Sequence, residues 1–367
     1  MGLAPEGDRT GRRSVTQRRP RAKTRRRSGI TGRHNAGVPT PASLLTVADL
    51  RLTLATGRGP AEALRGIDLQ LGRGETLGLI GESGCGKSMT ALAIMGLLPV
   101  GATLSGQITL EGQPLIGLDD AAMCRLRGNR IGMVFQEPMT ALNPLHTIGD
   151  QIGEPLRVHH GASRAAARAE ALRLLDRVRM PQAAQRLAAY PHQLSGGQRQ
   201  RVGIAMALAC SPDLLIADEP TTALDVRVQA EILALIRELV AESGMALLLI
   251  SHDLGVMART VERVAVMYAG TVVDTGPTAD VFARLAHPYT RGLFAARPQM
   301  GAARIDGIKP RLATIAGRVP ELTDLPRGCA FADRCGSVIG ACRTAMPALA
   351  EVGEAHMARC IRIGEST

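Results

Sequence analysis

Short runs of consecutive apolar residues dominate the hydrophobic pattern of the chain after residue 44. Three of these runs have the length of a strand and are followed directly by small or polar residues: 76–80, 214–217 and 246–250. Uninterrupted apolar runs of this length are typical of parallel strands buried on both faces. Because Ala- and Leu-rich stretches with helical spacing lie between them, the pattern predicts an α/β fold.

Before the first of these runs, apolar and polar positions alternate, as in strands with one exposed face. The segments 45–47, 50–54 and 64–71 show this alternation. We therefore expect an antiparallel β subdomain that leads into the strand at 76–80. Two more strand-like segments follow, at 107–110 and 130–135.

Apolar residues at helical spacing predict three helices, over about 89–98, 163–180 and 195–209. The first residue of the second and of the third is a serine, which is a favoured N-cap residue. The second helix belongs to an Ala/Arg/Leu-rich stretch that predicts a helical insert over about 137–197. A Pro-broken apolar surface precedes this helix, and both core packing and a docking groove for another protein would explain it. Its residues are Met139, Leu142, Pro144, Leu145 and Ile148.

A glycine-rich loop joins the strand at 76–80 to the helix at 89–98. Its glycines let the backbone bend around a polyphosphate with the N–H groups pointing inward, and the helix start adds a partial positive charge. Lys87 would neutralise the β- and γ-phosphates, and the Ser88 hydroxyl would ligate Mg²⁺. This chemistry is that of a nucleotide-binding P-loop. We assign to the loop Gly81, Glu82, Ser83, Gly84, Cys85, Gly86, Lys87, Ser88 and the following Met89.

A second anion-binding turn stands at the start of the helix at 195–209. Ser195, Gly196 and Gly197 would leave backbone N–H groups bare at the positive end of this helix, and Gln198 follows them. One nucleotide at the P-loop does not need both turns from the same chain. We therefore expect a head-to-tail dimer in which each chain closes the nucleotide site of the other.

Two acidic residues follow the apolar run at 214–217. Asp218, at the strand tip, would hold Mg²⁺ through water, and Glu219 would orient and deprotonate the attacking water. Asp225 stands before a further amphipathic helix, at a position from which it would reach across a dimer interface.

Two polar side chains end other strands at the same predicted edge of the sheet. Gln136 follows the strand at 130–135 and would reach Mg²⁺ and the attacking water. His252 follows the strand at 246–250 and would sense the γ-phosphate. Either residue alone would more often be structural, and it is the P-loop upstream that favours a catalytic role.

Recognition of the base is the least defined part of this site. Residues 44–75 contain no Phe, Tyr or Trp that would stack on adenine. We expect Arg58 or Arg65 to stack on the base instead.

Positive charge is concentrated at the N-terminus. Of the net charge of +11, residues 1–40 contribute +9, from eleven Lys or Arg and two acidic residues. Such a segment does not fold alone, so we expect a disordered basic tail over 1–43, either merely solvated or in contact with anionic lipid or RNA. No run of 18 apolar residues occurs, so we expect no membrane span, and no apolar stretch follows the N-terminal charges, so we expect no secretory signal.

The order of these motifs resembles that of the ATP-binding cassette (ABC) transporter ATPases over roughly 44–362. The P-loop, Gln136, the sequence LSGGQ at 194–198, the two acids, Asp225 and His252 occur once each in the family's order. Three further stretches are similar to the dipeptide/oligopeptide importer ATPases, and two more to the C-terminal extension of that group. They are FQEPMTALNP at 135–144, YPHQLSGGQRQR at 190–201, HPYTRGLFAARP at 287–298, GRVPEL at 317–322 and PRGCAFADRC at 326–335.

The resemblance implies a P-loop NTPase (RecA-like) core over 44–285, with the antiparallel β subdomain and the helical insert, and a C-terminal extension over 286–367. Two cassettes would close on two ATP molecules with Mg²⁺, and the second cassette would be another copy or a sister subunit. Two membrane permease subunits would dock near Gln136 and the insert, and an extracytoplasmic binding protein would deliver peptide. The chain would then be a peripheral protein at the cytoplasmic face of the bacterial inner membrane, with no nucleic acid as partner.

Four cysteines cluster near the C-terminus, at spacings that fit neither zinc ribbons nor ferredoxin runs. They are Cys329, Cys335, Cys342 and Cys360. The spacings alone support a metal site and unconnected thiols about equally. The resemblance implies a 4Fe-4S cluster in this extension, with Zn²⁺ as the alternative.

Two other functions stay open. The same ATPase would serve a transporter of nickel, glutathione or another small solute, because cargo is chosen by subunits outside this sequence. A non-transport ABC ATPase acting on nucleic acid or the ribosome is supported only by the basic tail.

Overall fold

A four-stranded antiparallel sheet forms the predicted β subdomain, with the strand order β2-β1-β4-β5. The computed structural model describes residues 43–137, 141–222, 224–297 and 314–364. The predicted basic tail, apart from Ser43, and Met139 of the apolar surface lie outside the described residues. The strands of this sheet are β1 (Ser43–Thr56), β2 (Gly59–Gly72), β4 (Thr103–Leu110) and β5 (Gln113–Pro114).

The strand β1 corrects the prediction of two separate strands at 45–47 and 50–54. The two halves belong to one strand, and the pairing with β2 shifts register between Val47 and Leu50. Within this irregularity Asp49 has a φ of 43°, and its N–H donates to a carboxylate oxygen of Asp68 at 2.8 Å. A bulge interrupts the polar and apolar alternation, so the sequence pattern looks like a break between strands.

The larger sheet has eight strands in the order β11-β12-β10-β9-β3-β8-β7-β6. Its central strands β9, β3, β8, β7 and β6 are parallel, whereas β10, β12 and β11 are antiparallel. Every residue of β3, β7 and β8 is buried, as predicted from their apolar runs. The strands are β3 (Thr76–Ile80), β6 (Ile131–Val134), β7 (Leu214–Asp218), β8 (Ala246–Ile250), β9 (Arg263–Tyr268), β10 (Thr271–Pro277), β11 (Ala350–Gly353) and β12 (His356–Ala358).

The helix α1, after β3, differs at both ends from the predicted 89–98. It begins at Lys87 and ends at Met95, because Gly96 adopts a left-handed conformation (φ 62°) and caps it. The other helices of the described residues are α2 (Asp120–Leu126), α3 (Ile148–His160), α4 (Arg164–Arg177), α5 (Ala183–Arg186), α6 (Gly196–Ala207), α7 (Val226–Ser243), α8 (Leu254–Thr260), α9 (Thr278–Arg284) and α10 (Pro288–Ala295).

Helices α3, α4 and α5 lie between β6 and β7 in the chain, where the sequence predicted a helical insert. Ser163 caps α4 by accepting a hydrogen bond from the N–H of Ala166, as predicted. Helices α3 and α4 approach closely, since a Cβ added at Gly153 would lie 3.2 Å from the Cβ of Ala167. Within the described residues, no helix has the length and apolar character needed to cross a membrane.

The carboxyl ends of the parallel strands meet at one edge of the larger sheet. The glycine-rich loop follows β3, Gln136 follows β6, Asp218 and Glu219 end β7, and His252 follows β8. The fold therefore brings together the polar residues that the sequence distributes over more than 160 positions. Ligands of open α/β sheets bind at such an edge.

Candidate functional site

The glycine-rich loop turns between β3 and α1 with backbone geometry that requires glycine. Gly81 and Gly86 have φ values of 156° and 107°, and a Cβ at Gly81 would lie only 2.3 Å from the carbonyl oxygen of Met267. The Nζ of Lys87 donates to the carbonyl oxygens of Gly81 (2.8 Å) and Glu82 (3.1 Å). The loop is therefore closed around a buried ammonium group at the start of a helix, as an anion-binding site requires.

A cavity of about 260 Å³ lies against this loop. It contains side chains from three separate parts of the chain, because Gln136 and Glu219 face it together with the loop. Its lining residues are Leu54, Ala63, Ser83, Gly84, Gly86, Lys87, Ser88, Met89, Gln136, Glu219 and Leu322. The predicted phosphate-binding, water-orienting and proton-accepting residues thus share one space.

Asp218 stands behind this cavity with a carboxylate that is 5% exposed. Burial raises its pKa and the charge of Glu219 adds to this, whereas a hydrogen bond from Ser88 and the charge of Lys87 oppose it. The Oδ1 of Asp218 is buried and has no hydrogen-bond partner among the described residues. A hydroxyl and a carboxylate with a spare oxygen are donors that Mg²⁺ prefers, so Ser88 and Asp218 fit the ion.

Glu219 is held at both carboxylate oxygens. Its Oε1 lies 3.2 Å from the Nδ1 of His252, and its Oε2 accepts a hydrogen bond from the Thr222 hydroxyl at 2.9 Å. Its backbone has a φ of 45°, and its N–H donates to the carbonyl oxygen of Ile250 at 2.9 Å. A fixed carboxylate beside the phosphate loop has the placement of a general base.

The expected stacking of Arg58 or Arg65 on the base stays a prediction. Neither arginine is among the residues that line the cavity. The Arg58 guanidinium instead pairs with Glu321 at 2.6 Å, and the backbone N–H of Arg65 donates to Gly270. The apolar lining comes from Leu54 and Ala63 of the β subdomain and from Leu322, which follows Glu321 in the chain.

The second anion-binding turn lies elsewhere on the chain. Ser195 caps α6 in a capping box, in which its Oγ accepts from the N–H of Gln198 and the Gln198 side chain accepts from the N–H of Ser195. Ser195 and Gly196 are exposed, and the turn contributes no lining residue to the nucleotide cavity. Asp225 is also exposed and caps α7 through the N–H groups of Arg227 and Val228.

The structure brings the four C-terminal cysteines to one small cavity of about 20 Å³. All four are free thiols, and burial raises the pKa of Cys329, with further contributions from the other three thiols. Across 43–137, 141–222, 224–297 and 314–364, no three His, Cys, Asp or Glu side chains are arranged to hold a metal ion. The four cysteines thus line one cavity, and a bound metal stays a prediction.

Sequence reasoning missed the contacts that the C-terminal extension makes with the phosphate loop. Arg334 pairs with Glu82, and the hydroxyl of Tyr289 accepts a hydrogen bond from the N–H of Glu82. Both residues lie in stretches singled out only for their similarity to a family. Because Arg334 and Glu82 are 252 residues apart in the chain, no local sequence pattern predicts that they pair.

Two family descriptions match the chain. Residues 64–222 match the family described as ABC transporter, and residues 273–342 match the one described as the C-terminal region of oligopeptide/dipeptide transporters. A protein of Brucella ovis named for peptide import and ATP binding is 52% identical over 327 residues, which cover 87% of this chain and 97% of that protein. The oligopeptide transport ATP-binding protein OppD of Salmonella typhimurium is 48% identical, with 84% and 91% of the two chains covered.

Solved structures show the same fold. The ATP-binding cassette MJ0796, in a dimeric post-hydrolysis state bound to ADP and Pi, has a TM-score of 0.58 and 30% identity, covering 64% of this chain and 98% of its own. The protein cbiO1 of Clostridium perfringens, part of the transporter complex cbiONQ, has a TM-score of 0.57 and 30% identity, with 66% and 92% covered.

Proposed function

The chain belongs to the ABC transporter ATPases, and we propose that it is the ATP-hydrolysing subunit of an importer of oligopeptides or dipeptides. The observation that carries the proposal is the single cavity shared by the phosphate loop, Gln136 and Glu219. The peptide cargo is supported by the match of 273–342 and by relatives named for peptide import and oligopeptide transport.

The described side chains divide the hydrolytic work among them. Lys87 and the N–H groups of the loop bind the β- and γ-phosphates, and Ser88 and Asp218 would hold Mg²⁺, which would supply positive charge to neutralise the phosphates. Glu219 accepts a proton from the attacking water, which Gln136 orients. His252 fixes the carboxylate of Glu219 and faces the γ-phosphate.

The second half of each site comes from another cassette. Ser195, Gly196, Gly197 and Gln198 bind the γ-phosphate of the nucleotide held by the partner, and Asp225 lies beside them at the interface. This arrangement is supported by the exposure of Ser195, which is not among the residues that line the chain's own cavity at the phosphate loop. The dimeric form of the similar cassette MJ0796 supports it as well. The partner is a second copy or a sister cassette.

The membrane partners are two permease subunits, to which an extracytoplasmic binding protein delivers peptide. Their docking surface lies next to Gln136, where a cavity of about 80 Å³ opens between β6 and α6. Phe135 lies at this cavity and is 41% exposed, and Leu145 nearby in the chain is 82% exposed. Contiguous exposed apolar surface marks interaction sites, and the proposal places Phe135 and Leu145 in one such surface. The proposed location of the chain is peripheral, at the cytoplasmic face of the bacterial inner membrane.

The cysteine cavity is the proposed place of a 4Fe-4S cluster, with Zn²⁺ as the alternative. The type of donor fits, because four thiols are the ligands of such a cluster and all four line one cavity, but as placed they are not arranged to hold a metal ion. The cavity has room for roughly one water molecule, so the thiols would have to move outward around the cluster. Iron, sulfide and zinc contents after anaerobic purification decide between the two.

Reconstitution tests the proposed function. The chain, its partner cassette, the two permeases and the binding protein are placed in liposomes, and ATP hydrolysis and peptide uptake are measured together. We expect both to rise when peptide is added and both to be lost in Glu219→Gln. Stimulation by nickel or glutathione, with none by peptide, would contradict the proposed cargo.

A further inference from the structure

A buried arginine of the C-terminal extension pairs with the phosphate loop. The Nη1 and Nη2 groups of Arg334 donate to the two carboxylate oxygens of Glu82 at 2.6 and 3.1 Å. The Arg334 side chain is 5% exposed, and its guanidinium also lies over the rings of Tyr268 and Phe331. A bidentate, largely desolvated pair of this kind fixes both partners in orientation as well as in distance.

A second contact holds the same loop residue by its backbone. The N–H of Glu82 donates to the hydroxyl of Tyr289 at 2.8 Å, and Tyr289 is fully buried. Its position is set by His287, which caps α10 by accepting a hydrogen bond from the N–H of Tyr289. Burial, followed by the charges of Arg291 and Arg359, lowers the pKa of His287 to about 3, so this cap stays neutral. Glu82 is therefore held at its side chain and at its N–H from outside the ATPase motifs.

The arginine stands inside the cysteine segment. It ends the 3₁₀ turn Ala332–Arg334, which begins three residues after Cys329 and is followed directly by Cys335. The turn is tied to the first cysteine by the N–H of Ala332, which donates to the carbonyl oxygen of Cys329. A backbone shift of Cys329 or Cys335 would therefore move the turn that carries Arg334.

We propose that Arg334 is a positioning residue through which the cysteine cavity sets the affinity of the phosphate loop for ATP. The inference rests on the proposed function, because it assigns a control to the same nucleotide site. With the pair intact, Glu82 keeps the first turn of the loop in the geometry that binds the phosphates. Without it, the loop pays an ordering cost when ATP binds, which weakens affinity without removing a catalytic group.

The test compares ATP binding in full-length variants from both sides of the pair. Arg334→Ala and Glu82→Gln each should weaken ATP affinity about 10-fold, with KM rising in parallel and kcat changing less than about twofold. The double variant should bind no more weakly than either single variant, because the pair is lost only once. Arg334→Lys keeps the positive charge but not the two parallel N–H donors of the guanidinium. Its ATP affinity should lie between those of Arg334→Ala and the wild type.

A matched control comes from the same segment. Arg343 pairs with Asp333 on the outer side of the 3₁₀ turn, where both side chains are more than half exposed. Arg343→Ala should bind ATP as the wild type does. Equal weakening in Arg343→Ala, or wild-type binding in both Arg334→Ala and Glu82→Gln, would overturn the proposal. If Arg334→Ala fails to fold, Glu82→Gln still tests the pair, because the Glu82 side chain is less buried than that of Arg334.

A separate experiment tests the link between the cysteines and ATP affinity. Cys335→Ser should weaken ATP affinity in the wild-type background and add nothing in the Arg334→Ala background. Equal effects in both backgrounds would show that the cysteines act by another route. Lys87→Ala distinguishes failure of this inference from failure of the proposed function. If Lys87→Ala still binds ATP, the assigned nucleotide site is wrong. If Lys87→Ala loses ATP binding and Arg334→Ala binds ATP normally, only the positioning role of Arg334 is overturned.

Discussion

The imidazole Nδ1 of His252 lies 3.2 Å from the Oε1 of Glu219, although the two residues end different strands of the larger sheet. The Thr222 hydroxyl holds the other oxygen of the same carboxylate. The carboxylate therefore has a defined orientation at the edge of the nucleotide cavity. We therefore expect Glu219 to accept the proton of the attacking water and His252 to orient the carboxylate of Glu219.

Glu219→Gln should bind ATP with wild-type affinity and lower kcat by roughly 10² to 10⁴, because the amide cannot accept the proton of the attacking water. Equilibrium binding and phosphate release measure the two quantities. Glu231→Gln is the control, since Glu231 is an exposed acid that pairs with Arg201 at 3.0 Å, outside the cavity. Rapid turnover by Glu219→Gln would place the base elsewhere.

His252→Ala should lower kcat by about 10- to 100-fold, less than loss of the base, because Thr222 still holds one oxygen of Glu219. The KM for ATP should change little, since the imidazole contributes to orientation. Single-turnover hydrolysis measures the chemical step directly. A loss as large as that of Glu219→Gln would show that the histidine itself carries the proton.

Asp218→Asn should abolish Mg²⁺-dependent hydrolysis and raise the free energy of unfolding without Mg²⁺ by about 1 kcal/mol at neutral pH. Burial raises the pKa of this carboxyl in the folded protein, so ionisation costs stability as the pH rises through that pKa. Below the pKa of Asp218 in the unfolded protein, the carboxyl is protonated in both the folded and the unfolded wild type. The difference in the free energy of unfolding between wild type and Asp218→Asn should then vanish. Urea titrations across acid and neutral pH measure it.

Asp213→Asn is the control of opposite sign for that titration. Burial of Asp213 opposes ionisation, but hydrogen bonds from Arg130 and Arg73 outweigh it and leave the pKa lowered. Its contribution to stability is therefore present above the unfolded pKa and lost as the pH falls. The Asn variant should be less stable than the wild type at neutral pH. The same sign of change in both variants would contradict this electrostatic description.

Leu322→Ala should weaken ATP affinity by about fivefold with kcat unchanged, because roughly 1 kcal/mol of apolar contact with the base is lost. Binding of ATP and of inorganic triphosphate is compared, and only the nucleotide should be affected. Ile339→Ala, at a half-exposed position of the same extension, should bind ATP normally. Equal loss for triphosphate would show that Leu322 acts on the phosphate loop rather than on the base.

The sequence predicted the parts of the site that depend on local pattern. The strands β3, β7 and β8 were located within about one residue, because each is a buried apolar run ended by a glycine or a polar side chain. Ser163 and Ser195 were identified as N-caps because capping chemistry is local. The residues at the carboxyl ends of these strands follow from sheet topology.

Other features depend on contacts between distant segments and were missed. The bulge at Asp49 looks like a gap between strands, and the left-handed Gly96 ended α1 before its apolar pattern ran out. The pair of Arg58 with Glu321, which are 263 residues apart, also has no signal in the local sequence pattern. The Arg334–Glu82 pair could not be predicted either, because nothing in the sequence around either residue indicates its partner.

The proposed closing of each nucleotide by two chains is tested by the molar mass of Glu219→Gln protein with and without Mg²⁺ and ATP. The protein is measured alone and together with the proposed second cassette. We expect ATP-dependent pairing in one of these mixtures, and its loss when Ser195→Arg is added to every cassette copy. An unchanged mass on addition of ATP in both mixtures would contradict the composite site.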